Sequence, residues 1–192
     1  MAHSSPASAL RQSLSMSENV PAMLGAWSSF YVMMGSSAAA LTGLMFVVMS
    51  LTVGKRSPNT RDGISTFSSP TVLHFAAALL VSAILVVPWK SLVWAGVVLA
   101  LAGLYGVIHT ARVIVRTKRL TLYQADAEDW TWYSVLPLLA YAAILAGSIA
   151  FGFAPGLALF AVAGGTILLV FIGIHNAWDV VTFLAIDASR PD

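Results

Sequence analysis

No charged residue falls between Glu18 and Lys55, between Asp62 and Lys90, between Lys90 and Arg112, or between Asp129 and Asp179. Uncharged apolar stretches of that length leave few folds open. A helix crosses about 30 Å of hydrocarbon with roughly 20 such residues, and each stretch is long enough to do so. Composition agrees where it bears on the point. The chain is 58% hydrophobic and 9% charged, against about 25% charged in soluble domains, and its mean hydropathy is +0.84. A soluble protein of 192 residues could not cover that apolar surface. The chain therefore reads as one all-α integral membrane domain.

The punctuation predicts a five-transmembrane-helix bundle. Residues 1–20 are Ser- and Ala-rich with a single Arg11 and no apolar signal core, and they read as a flexible polar tail, or at most a short surface helix around Ala7–Met16. Ser17 or Asn19 ahead of Pro21 makes a helix start, a capping side chain followed by a first-turn proline. The transmembrane domain covers residues 21–186, with spans at about 22–53, 71–87, 89–115, 130–151 and 155–186. Gly54 ends the first span, Ser69-Pro70 opens the second, and Pro88 closes it against a tight hinge at Trp89 and Lys90. Pro137 lies inside the fourth span and leaves the carbonyl of Tyr133 without its helical donor. Phe153-Ala154-Pro155-Gly156 turns into the fifth, and residues 187–192 form a short tail.

Charge then orients the bundle. With five spans, two basic residues (Arg11 and Lys90) fall on the first side and eight on the other. Short loops rich in Lys and Arg stay cytoplasmic, so the N-terminus is expected outside and the C-terminus inside. The same rule accounts for a pI near 9.2 without nucleic acid as a partner. Arg112, Arg116, Lys118 and Arg119 continue the third span as a basic stripe, which suits topology determination and also contact with anionic headgroups. Asp126, Glu128 and Asp129 follow, placed to favour the positive N-terminus of the fourth helix. The chain has no cysteine, which removes disulfides, thiolate metal sites and cysteine nucleophiles. It also has no phosphate-cradling glycine loop, HExxH or GxSxG, so no catalytic residue is expected.

The most polar patch inside the apolar background is Gly173-Ile174-His175-Asn176-Ala177-Trp178-Asp179. His175 and Asp179 are four apart and share a helix face. Ionisable side chains at that depth usually face the protein interior or a wet cavity. With the expected orientation, His74 and His109 sit at the same cytoplasmic level, with Met45 and Met49 on the first span. His74, His109, His175 and Asp179 are the candidates for metal ligation or proton relay, with Met45, Met49 and Asn176 as weaker members. Imidazoles from different helices suit a transition metal or a haem, and a histidine held by a carboxylate suits proton transfer. The same residues also fit a plainer role, in which Asp179 orients His175 near the headgroups and methionine fills gaps.

The first span also carries Gly35, Ala39 and Gly43 at four-residue spacing, a pattern that lets helices approach closely. The stretch Ala26-Trp-Ser-Ser-Phe-Tyr-Val-Met-Met-Gly-Ser-Ser-Ala-Ala-Ala-Leu-Thr-Gly-Leu-Met-Phe-Val-Val-Met-Ser-Leu51 resembles the opening of small bacterial inner-membrane proteins described as modulators of a membrane-anchored AAA protease. Val81-Ser-Ala-Ile-Leu-Val-Val-Pro-Trp89 adds to the likeness, which covers about a third of the chain. The resemblance implies a multi-pass protein of the bacterial inner membrane that acts on other membrane proteins. Its matching residues form a helix-packing face and carry no functional residue over. Two expectations follow: a non-enzymatic partner that associates through small-residue faces, by self-association or with other membrane proteins, or a transport or redox protein using the His/Asp cluster. Headgroup chemistry beside the basic stripe would use the same residues.

Overall fold

The structure is a computed structural model that describes residues 6–52, 58–119 and 127–188, with side-chain surroundings for residues 20–50, 70–115, 128 and 130–182. The described residues are helical apart from two short connections. The helices are α1 (Pro6–Thr52), α2 (Pro58–Val86), α3 (Leu92–Arg119), the single turn α4 (Ala127–Trp130), α5 (Leu136–Ala150) and α6 (Pro155–Ala188). A π-helical turn, Thr131–Val135, joins α4 to α5.

Among the described residues, four stretches are long and apolar enough to cross a membrane: Val20–Ser50, Leu92–Val115, Thr131–Ala150 and Pro155–Thr182. Pro70–Val86 is apolar but shorter. The outward faces are as apolar as the core. Phe46 is 67% exposed, Phe160 68% and Leu157 76%, with Met33, Leu101 and Ile149 also outward. Apolar surface this continuous marks a protein whose solvent is lipid.

Two helix boundaries differ from the sequence reading. Helix α1 starts at Pro6, so residues 6–20 are helical backbone continuous with the first span and Pro21 lies inside the helix. Pro6 suits a first-turn position, and the segment after it holds neither glycine nor proline until Pro21. Helix α2 likewise starts at Pro58 and carries Pro70 in its interior. Each interior proline removes one backbone hydrogen bond. The loop around Lys55 and Arg56, the acidic residue Asp126 and the tail from 189 lie outside the described residues.

The hinge and the second turn fall where proline and glycine place them. After α2 ends, the Trp89 indole donates to the Ile84 carbonyl at 2.7 Å and Trp89 N–H to Val87 O at 2.8 Å. Orphan carbonyls at a helix end are thereby satisfied. Ala154 N–H bonds Ala150 O at 2.8 Å, and Pro155 opens α6.

The helices pack as an arc in the order α1, α2, α6, α5, α3, with lighter contacts of α1 on α6 and α2 on α3. Tyr31, Phe75, Leu85, Leu99, Ile144, Leu159 and Ile172 are fully buried, so every long helix feeds the core. At one end, Trp27 of α1 meets Phe160 of α6 edge to face at 4.8 Å. The opposite end holds the start of α2, the end of α3, the π turn and the end of α6.

The close helix contacts correct the expected small-residue seam. Gly35 does face α2, where an added Cβ would sit 3.0 Å from Ser82 Cβ. Ala39 and Gly43 instead point outward, and a Cβ on Gly43 would meet nothing within 4 Å. The buried line of α1 runs Leu24, Tyr31, Ala38 and Met45, a seven-residue repeat. Four-residue steps drift about 40° from such a line at each step. The tightest approaches lie elsewhere: Gly106 under the Tyr141 ring, Gly173 under the Phe75 ring, and Gly165 with a Cβ position 2.7 Å from Ala140 O.

Candidate functional site

Pro137, buried at the start of α5, has no N–H to give the carbonyl four residues back. Just upstream the chain widens into the π turn, where Leu136 N–H bonds Thr131 O five residues back. Turns of this kind insert a residue into a helix and recur at functional sites. Here Trp132 and Tyr133, consecutive in sequence, both reach α6.

The Trp132 indole stacks on the His175 imidazole with centroids 3.8 Å apart and planes 5° from parallel. The Tyr133 hydroxyl donates to Asp179 Oδ2 at 3.2 Å. Asp179 Oδ2 in turn lies 3.4 Å from His175 Nδ1, and Glu128 Oε1 lies 3.6 Å from His175 Nε2. Each ring nitrogen therefore faces a carboxylate. Both separations are ion-pair distances longer than a well-formed hydrogen bond, and Nδ1 is buried without a hydrogen-bonded partner. The His175 side chain is 25% exposed and that of Glu128 72%, so the cluster grades from water into the bundle.

Deeper in the same end, His74 is 3% exposed and its Nδ1 lies 3.1 Å from the Tyr141 hydroxyl. With Nδ1 bare the tyrosine donates, and with it protonated the hydroxyl accepts. Two glycines make this pair possible. Gly106 of α3 leaves room for the Tyr141 ring, and Gly173 of α6 for the ring of Phe75 beside His74.

Asn176 is fully buried, and neither its Nδ2 nor its Oδ1 has a hydrogen-bond partner. Thr71, Thr110 and Ser134 are also buried toward this end. Among the other buried hydroxyls, Ser148 and Thr166 bond carbonyls of their own helices, at 2.6 Å and 2.7 Å.

The described histidines are His74, His109 and His175. His109 is half-buried, stacks at 6.1 Å on Tyr105 of its own helix, and lies close enough to His74 to act on it electrostatically. Among the described residues, no three His, Asp or Glu side chains come together as a metal-binding group. Each of the three described histidines has a different aromatic neighbour: Tyr141 for His74, Tyr105 for His109 and Trp132 for His175. Met45 is buried on the α1 seam and Met49 half-buried below it. Arg112 is exposed, while the side chains of Arg116, Lys118 and Arg119 lie outside the described residues.

Trp132, Glu128 and Tyr141 join the site without having been candidates for it in the sequence, and Tyr133, expected to offer its carbonyl, joins through its hydroxyl. The available signal was an aromatic pair a few residues ahead of a mid-span proline, where a helix cannot keep its ordinary phase. Compared with known proteins, the chain matches no family, no curated protein and no solved structure.

Proposed function

We propose that this chain is a multi-pass protein of the bacterial inner membrane, non-enzymatic, that takes up and releases protons at His175 in support of transport. In this reading five helices span, including the shorter Pro70–Val86, with the N-terminus outside and the His175 end cytoplasmic. The observation that carries it is the placement of one half-buried imidazole between Asp179, Glu128 and the Trp132 ring. A group so held can accept a proton from water and pass it inward, the usual role of a histidine–carboxylate pair in a membrane.

Purified protein in liposomes loaded with a pH-sensitive dye tests this directly. Under a potassium diffusion potential, wild type is expected to acidify the lumen faster than empty vesicles, with the rate lost in His175→Ala and reduced in Asp179→Asn. Wild-type vesicles no faster than empty ones would end the reading.

A second reading rests on the outward Ala39 and Gly43 of α1. Small residues on a lipid-facing helix admit another helix closely, as a partner of the modulator type would require. Site-specific crosslinking at Ala39 in whole cells tests it, and a crosslink pattern of lipid alone would dismiss it.

A further inference from the structure

Asn176 is the least explained residue of the bundle. Its amide is wholly buried and both polar atoms lack a partner. An unpaired amide in such a place costs roughly 1–3 kcal/mol, and lipid on the outside offers no relief.

Its position follows from the helix. At about 100° per residue, Asn176 projects between two faces of α6. One bears His175 and Asp179 and meets Trp132 and Tyr133. The other bears Gly173 and meets Phe75 of α2. Helix α2 runs opposite to α6, so Thr71, one turn before Phe75, comes level with Asn176. Ser134 follows Tyr133 on the π turn. Both hydroxyl residues are buried, at 0% and 4% exposure. The amide thus projects between the face of α6 that carries the half-exposed His175 cluster and the face toward α2, the helix that carries the buried His74.

We propose that Asn176 binds an internal water that joins the His175–Asp179 rim to the buried His74–Tyr141 pair. The chemistry selects water over a cation. An amide presents one donor and one acceptor side, which a water answers with both of its functions, and buried waters settle where two to four polar groups converge. A desolvated cation would gain the amide oxygen but be opposed by the NH2 group. The Asn176 water turns two separate polar pairs into one path, along which a proton moves by exchange between neighbouring hydrogen bonds. Beyond it, the next unpartnered buried polar atom on α2 is Ser82 Oγ, about 12 Å further along the helix from His74.

The inference deepens the proton reading of the same site, yet its test is independent of transport. Water-edited solid-state NMR on the full chain in lipid bilayers measures magnetisation transfer from water to assigned side-chain nitrogens. Rapid transfer to Asn176 Nδ2 and to the His74 ring is expected in wild type. In Asn176→Leu, transfer to His74 should fall several-fold while His175 stays wet. A dry Asn176 in wild type overturns the proposal, whether or not the variant folds, and so does unchanged transfer to His74 in a folded variant. Wet Asn176 in a protein that moves no protons would leave the internal water standing and remove the transport reading alone.

Discussion

The indole of Trp132 lies flat on the imidazole of His175, 3.8 Å between centroids and 5° from parallel, although 43 positions of chain separate them. The contact ties the π turn to α6 and puts a fluorophore against the one titratable ring that also faces two carboxylates.

That stack makes the His175 side chain visible in fluorescence. A ring in flat contact alters the emission of the indole against it, so His175→Ala should change the Trp132 component of the spectrum. The chain has six tryptophans, and the component is isolated as the difference from Trp132→Phe in each background. An identical Trp132 component in wild type and His175→Ala would show that the two rings do not touch in the folded protein.

Pro137 sets the phase of the whole cluster. Replacing it with Ala restores an N–H that can close an ordinary turn, which rotates Trp132 and Tyr133 relative to α6. The expected outcome is a folded Pro137→Ala protein, with unchanged far-UV circular dichroism, that has lost the His175-dependent Trp132 signal. Retention of that signal would mean that the proline is incidental to the π turn.

The glycines separate into two classes that melting in detergent can distinguish. A Cβ on Gly106 would enter the Tyr141 ring and one on Gly173 the Phe75 ring, so Ala at either site forces neighbouring helices apart and should destabilise by about 1–3 kcal/mol. Gly43→Leu meets open space and should change stability by less than about 0.5 kcal/mol. Gly43→Leu unfolding the protein would place that residue back inside a helix interface.

Tyr141→Phe removes only a hydroxyl, but it leaves the buried Nδ1 of His74 without a partner. The expected loss is about 1–3 kcal/mol. The double variant His74→Phe with Tyr141→Phe should recover part of it, because no polar atom is then stranded. Chemical unfolding in mixed micelles gives the cycle, and additive losses would show that the two side chains do not interact.

Much of this architecture can be read from residues alone. Long uncharged stretches define helices, Pro88 and Pro155 place the turns at the ends of α2 and the start of α6, and the four-residue interval aligns His175 with Asp179. Neighbours across the bundle cannot be read so. Tyr141 meets His74 because Gly106 and Gly173 leave space at one level, which depends on the relative sliding of four helices. Trp132 and Tyr133 look like an interfacial aromatic belt until the π turn shifts their phase. The spacing of Gly35, Ala39 and Gly43 suggests a packing face, while the seven-residue line through Tyr31 and Ala38 is the one that buries. Local intervals report a helix's own faces and stay silent about which face finds a partner.

Large apolar side chains line the outside of every long helix: Phe46 on α1, Leu80 on α2, Leu101 on α3, Ile149 on α5 and Phe160 on α6. Such a surface has no favourable solvent in water. The amphiphile around the bundle is therefore part of what holds its fold, and a melting or unfolding experiment reports the protein together with the detergent or lipid that coats it.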